Sequence, residues 1–252
     1  MVAFVLGLFA GLLACMEIGR RIGAARYSTR GEESKDGVSA VEGSVFALLG
    51  LLIAFTFSGA ATRFEARRQW IVEEANAIGT AYLRLDLLPA DARDKLRGAF
   101  RRYLDARIEL YRNAPDGVAS TPELERSVAI QDEIWSGAVA ACKDAGASAT
   151  ALLLLPAVNE MNDLATTRMF SRSVHEPLEI FAAIAVLSFA CALLAGRGMS
   201  DQPKRQWFHM LCFAGMVALT MYVILDLEYP RAGLIRVDAS DRVLEDVRSA
   251  MK

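Results

Sequence analysis

The sequence predicts an all-α membrane protein, with four transmembrane helices and a helical soluble insert between the second and third. Three observations carry this. The 252 residues are 54% hydrophobic with a mean hydropathy of +0.27, too apolar for an ordinary soluble domain and too polar for a bundle of spans alone. Four apolar runs reach or approach the roughly 20 residues a helix needs to cross hydrocarbon. Between the second and third runs lie helical periodicities, with no period-two alternation that would mark a strand.

Residues 1–16 are uncharged, and the apolar run extends to Gly19 across a single Glu17. Leu12-Leu13-Ala14-Cys15 looks like a lipoprotein processing site. However, no Lys or Arg precedes the apolar stretch, as a signal peptide requires, so a retained span is the better reading. Gly7 and Gly11 form a small-xxx-small face for another helix, and Gly59 and Ala60 are expected at helix contacts too. The second run, residues 43–62, has 20 uncharged positions between Glu42 and Arg63. The third, 180–196, has 17, with Glu179 at its edge; the fourth, 206–225, begins beside the interfacial anchor Trp207.

In the insert, Phe64, Ile71, Ile78 and Leu85 recur every seven residues with Ala75 and Tyr82 on the same stripe, so the second span should continue out of the bilayer to Leu88 and end at Pro89. Leu96, Phe100, Tyr103, Leu104, Ile108 and Tyr111 predict the next helix, closed by a turn at Asn113-Ala114-Pro115-Asp116-Gly117. Ser120-Thr121-Pro122-Glu123 supplies a cap. Leu124, Val128, Trp135, Val139 and Cys142 mark a third stripe, and Leu154, Val158, Met161 and Ala165 a fourth, which Pro156 should interrupt. The expected divisions are residues 1–62, a first transmembrane hairpin; 63–176, the insert; 177–229, a second hairpin; and 230–252, a C-terminal tail.

Composition and spacing narrow the function classes. Lys and Arg number 28 against 30 Asp and Glu, a net charge of -2. There is no basic surface for nucleic acid, which is not an expected partner. The four Cys and two His show neither a disulfide framework nor metal-ligand spacing. No nucleophile elbow, phosphate loop or CxxC appears, so an enzyme is not expected, nor a cofactor or metal. Basic residues near the span ends number eight on each side. The short loops and the pair Arg20 and Arg21 argue for an outward N-terminus, against the family reading below.

Three places are candidates for function. Arg63-Phe64-Glu65-Ala66-Arg67-Arg68-Gln69-Trp70 sets three cations and one anion at the exit of the second span. Repeated around a ring, Arg63 and Arg67 would form a vestibule that attracts anions; the competing reading is interfacial anchoring. Inside that span Phe55-Thr56-Phe57-Ser58 alternates aromatics and hydroxyls. Positions 55 and 57 point about 160° apart on a helix, so at most one Phe narrows a passage; lipid contact and packing compete. At the end of the fourth span Asp226, Glu228 and Arg231 are read, with Glu65, as membrane-edge charge pairing, the carboxylates meeting Arg at the second span's exit. Glu73-Glu74-Ala75-Asn76 is read as a solvated face beside a small packing strip of Ala75 and Gly79.

The runs Gly50-Leu51-Leu52-Ile53-Ala54-Phe55-Thr56-Phe57-Ser58-Gly59-Ala60-Ala61-Thr62-Arg63-Phe64-Glu65-Ala66-Arg67-Arg68, Glu74-Ala75-Asn76-Ala77-Ile78-Gly79-Thr80-Ala81-Tyr82-Leu83-Arg84-Leu85-Asp86-Leu87-Leu88-Pro89 and Asp226-Leu227-Glu228-Tyr229-Pro230-Arg231-Ala232-Gly233 resemble the bacterial membrane proteins grouped as bestrophin-like. That family carries a domain of unknown function and is named for a distant likeness to bestrophins, which are pentameric anion channels with four spans and a helical cytoplasmic region. The resemblance covers essentially the whole chain. It implies a multi-pass protein of the bacterial inner (plasma) membrane, in contact with the lipid bilayer, that forms a homo-oligomer and conducts chloride or another small anion. The chain lacks the asparagine pair that follows the hydrophobic neck of bestrophins, and is shorter there, so no neck residue is carried over. Nor is there an acidic cluster suited to a calcium clasp. The alternative is a non-conducting scaffold or sensor whose insert binds a partner.

Overall fold

The computed structural model describes residues 1–27, 36–113, 122–144, 148–200, 205–231 and 233–251, and among these there is no strand. The helices are α1 (Val2–Tyr27), α2 (Asp36–Arg84), α3 (Ala90–Asn113), α4 (Pro122–Asp144), α5 (Ser148–Ser171), α6 (Leu178–Gly198), α7 (Trp207–Glu228) and α8 (Asp238–Ala250), with a short 3₁₀ turn at Leu85–Leu87. Helices α1, α2, α6 and α7 are long and apolar enough to cross a membrane. The turn expected at residues 114–117 and the cap expected from Ser120 and Thr121 lie outside the described residues. The chain divides into two compact units: Met1–Arg63 with Glu176–Glu228, and Phe64–His175 with Tyr229–Lys252.

In the first unit α1 packs on α6 and α7. Leu8, Leu12 and Met16 of α1 are buried, as is Ala192 of α6. The closest approach is backbone to backbone. A Cβ on Gly19 would stand 2.0 Å from the carbonyl oxygen of Leu193, and one on Gly196 the same distance from that of Met16. Only residues without side chains admit so short a crossing. Gly11 meets the ring of Phe189, whereas Gly7, contrary to expectation, faces open space within the chain. Helix α1 outruns its apolar stretch because Glu17 is satisfied where it sits. It accepts from Arg20 Nε at 3.0 Å, Arg21 Nε at 2.8 Å and Arg205 Nη2 at 3.1 Å. Phe46 and Phe213 meet edge to face at 6.1 Å, which seats α2 against α7.

In the second unit the heptad stripe of α2 is the core. Ala75, Ile78, Tyr82 and Leu85 are buried with Leu96, Phe100, Tyr103 and Leu104 of α3 and with Leu154, Val158 and Met161 of α5, and Ile71 is buried as well. Helix α2 runs unbroken through residues 61–67, as its periodicity predicts. It gives way after Arg84 to the 3₁₀ turn Leu85–Leu87, and Leu88 is extended (ψ 156°) ahead of Pro89.

Two expectations fail here. The buried face of α4 is Ile130, Ile134, Ala138, Ala141 and Cys142, while Val128 and Trp135 are exposed. Beside that face a Cβ on Gly137 would lie 2.9 Å from Leu96 Cδ2, so α4 comes close to α3 at a position without a side chain. Pro156 does not interrupt α5, which is continuous around it. Arg84 Nη1 donates to the carbonyl of Leu153 at 2.5 Å, in the turn where the proline ring disturbs the ladder. The segment expected to be a tail forms α8, whose Leu244 joins the core of this unit.

Candidate functional site

Helix α2 carries the candidate residues, and its two faces differ sharply. At 100° per residue, Thr56, Ala60, Arg67, Ile71, Glu74 and Ile78 share one side, and all are buried. On the opposite side Leu48, Leu51, Phe55, Ser58, Thr62, Glu65 and Gln69 follow one another at spacings of three and four, and all are exposed. Phe55, 66% exposed, lies on this stripe; Phe57, 42% exposed, lies off it. Thr56 is only 5% exposed and donates its hydroxyl to Leu52 O at 2.9 Å. It belongs to the packed side of the helix.

Arg63 folds back along the helix. Its Nη1 lies 3.2 Å from where a Cβ would stand on Gly59, so the guanidinium occupies the room this glycine leaves. From there Nε reaches both carboxylate oxygens of Glu228, at 3.1 and 3.2 Å, and Nη2 forms an ion pair with Glu176. Glu228 is fully buried and also accepts the backbone N–H of Glu176 at 2.7 Å. A buried carboxylate needs such a set, because leaving it without a cation costs several kcal/mol, about 3–5. Asp226 on the same helix is buried as well. Arg63, Glu176 and Glu228 thus bring one positive and two negative groups together.

In the second unit Arg67 is buried. Its Nη2 donates to Val174 O at 2.8 Å and its Nε to Ser171 O at 3.4 Å. The guanidinium expected at a vestibule is engaged by backbone carbonyls and lies 3.4 Å from His175 Nδ1. Glu65 is exposed and pairs with Arg68 Nη1 at 2.9 Å, one turn along. Arg231 donates to Tyr111 O at 2.6 Å. Arg67, Arg168, Arg172, Arg231 and His175 line a cavity of about 30 Å³, room for about one or two waters.

The sequence missed the strongest ionic group. Glu74, expected on a solvated face, is 0% exposed. It accepts from Arg107 Nε at 2.7 Å and from Arg168 Nη1 at 2.6 Å, with Tyr111 Oη 3.2 Å away. The Arg168 guanidinium also lies 3.4 Å above the Tyr111 ring. Burial alone would raise the Glu74 carboxyl, but the charges and hydrogen bonds of the two arginines outweigh it and hold it below the ordinary carboxylate range. Burial pushes the Tyr111 hydroxyl up to about 12, so it stays protonated. A residue at position 74 shares the helix face of Ile71 and Ile78, and that register is the signal that marks Glu74 as buried.

The bestrophin-like domain family matches residues 6–241. The chain belongs to the bestrophin-like family. Its fold is that of a bestrophin homologue from Klebsiella pneumoniae. One mutant form is 15% identical, with a TM-score of 0.71 over 98% of each chain; another is 16% identical, at 0.68 over 98% of this chain and 97% of that one. A structure described as a membrane protein is 17% identical, with a TM-score of 0.71 over all of this chain and 98% of its own. No curated protein matches the sequence. In this bestrophin-like chain the geometry gathers Arg63 with Glu228 and sets Phe55 and Ser58 on the exposed stripe. It does not bring Arg63 or Arg67 onto that stripe. Among the described residues, no group of three or more His, Cys, Asp or Glu converges as a metal site would require.

Proposed function

We propose that this bestrophin-like protein is the subunit of a homo-oligomeric ion channel of the bacterial inner membrane, with the exposed stripe of α2 facing the conduction path. The observation that carries the reading is the stripe itself. Over the apolar span it runs from Leu48, Leu51 and Phe55 to the hydroxyls of Ser58 and Thr62. A closed ring of copies would give those hydroxyls water instead of lipid, and would leave Phe55 with Leu51 as an apolar constriction, a device that gates by dewetting. The likeness to bestrophins supports both the oligomer and conduction.

Anion selectivity through Arg63 and Arg67 is the sequence expectation, but Arg63 is held by two carboxylates and Arg67 by carbonyls. Conduction is therefore proposed without assigning selectivity to either arginine. The test is ion flux from liposomes holding the purified oligomer, paired with particle images that show its symmetry. Phe55→Ala should raise flux severalfold, since it widens the constriction. A monomer, or a folded ring impermeable to every small ion in both forms, would favour the non-conducting scaffold instead.

A further inference from the structure

Resting on the reading that the exposed face of α2 lines the path, we infer that the path selects cations, through a ring made by Glu65 of each copy with the Thr62 hydroxyl oxygens one turn before it. Thr62 and Glu65 are the last hydroxyl and the first ionised group on the stripe beyond the apolar run. Both offer lone pairs. The Thr62 hydroxyl donates its proton to Ser58 O at 2.8 Å, so what it turns outward is acceptor oxygen, which suits a cation and not an anion. Glu65 adds a carboxylate that remains exposed.

The cations at this exit do not cancel that field. Arg63 and Arg67 lie on the far side of the helix, engaged with Glu228 and Glu176 and with Ser171 and Val174. Among the described residues of α2 near the span exit, Arg68 is the guanidinium beside the stripe. It sits on its flank, about 60° around the helix from Glu65, and pairs with Glu65 at 2.9 Å. Glu73 lies two turns on and accepts from Gln69 Nε2 at 2.7 Å, so Glu65, Arg68 and Glu73 leave one negative charge in excess per copy. Repeated around a ring with low-dielectric walls, that excess draws cations and repels anions more strongly than in bulk water. The hydroxyl ring then provides oxygen ligands where a cation sheds part of its hydration shell.

The test uses the full chain as its purified oligomer in planar bilayers under a tenfold gradient of potassium chloride. The wild type should reverse near the potassium potential. Glu65→Gln should lower the potassium-to-chloride permeability ratio by about tenfold, equivalent to about 1.4 kcal/mol, and Arg68→Gln should raise it. Both side chains are exposed, so these variants should keep the wild type's thermal stability and particle size, checked before recording. Reversal near the chloride potential overturns the inference and leaves the channel reading standing. So does a cation preference that is unchanged in Glu65→Gln. Absence of current from well-folded rings in every variant overturns both.

Discussion

Replacing Gly196 by alanine adds one methyl group at the tightest place in the first unit. An ideal Cβ there would lie 2.0 Å from Met16 O and 2.7 Å from both Met16 C and Cα. Ordinary contact is about 3.4–4 Å, so α1 and α6 would have to part by more than about 1 Å along their closest stretch. Neither contact is with a side chain that can swing aside. A radial gap of 0.5–1 Å already forfeits about a quarter to a half of each van der Waals well, and Leu12 and Met16 of α1 and Ala192 of α6 are each 0% exposed. Overpacking costs typically about 1–3 kcal/mol; with backbone on one side of the clash, the expected loss is at the top of that range, about 3 kcal/mol. Two controls calibrate it. Gly11→Ala meets only the Phe189 ring, at 2.7 Å, and should cost about 1 kcal/mol or less as the ring turns. Gly215→Ala meets nothing within 4 Å and should be neutral, or gain a few tenths of a kcal/mol or so in helix propensity. Thermal unfolding of the full chain in detergent, followed by tryptophan fluorescence and size exclusion, ranks the three. If Gly196→Ala melts with Gly215→Ala, the close crossing is refuted.

In the second unit, Glu74→Met should destabilise by about 3–5 kcal/mol by leaving Arg107 and Arg168 buried without their carboxylate, whereas replacing both arginines by apolar residues as well should recover much of the loss; chemical unfolding of the full chain measures both. The pH dependence follows from the same group. Its folded pKa is depressed, so its contribution is fully present above the unfolded carboxylate value of about 4.3, is lost as pH falls through the lower folded value, and should be missing from Glu74→Gln in an acid titration of stability. For the exit of the span, Arg63→Gln and Glu228→Gln should each destabilise, while the double variant should lose less than their sum by at least about 0.5 kcal/mol; additive effects would mean that the two do not interact. On α4, Ile134→Ala should cost about 2–5 kcal/mol and Trp135→Ala well under half of that, an order that the size-based stripe would reverse.

The four apolar spans, the all-α class and the continuity of α2 were legible in the sequence, because these depend on properties local to the chain. An uncharged run of 20 residues must be satisfied by its own backbone hydrogen bonds in hydrocarbon, and a heptad stripe from Phe64 to Leu85 admits one helical face. The buried stripes of α3 and α5 were legible for the same reason. The family was legible in the long run from Gly50 to Pro89. Partner choice was not. Three arginines follow the span with similar chemistry, and only packing decided that Arg63 lies over Gly59 toward Glu228, that Arg67 serves carbonyls and that Glu65 stays outside. Glu74 looked like a surface residue because a carboxylate is almost never buried unpaired, and its partners Arg107 and Arg168 stand 33 and 94 residues away. The true face of α4 and the Gly19 and Gly196 crossing escaped for a related reason: they are set by how closely two backbones approach, a distance between elements that no periodicity within one element encodes.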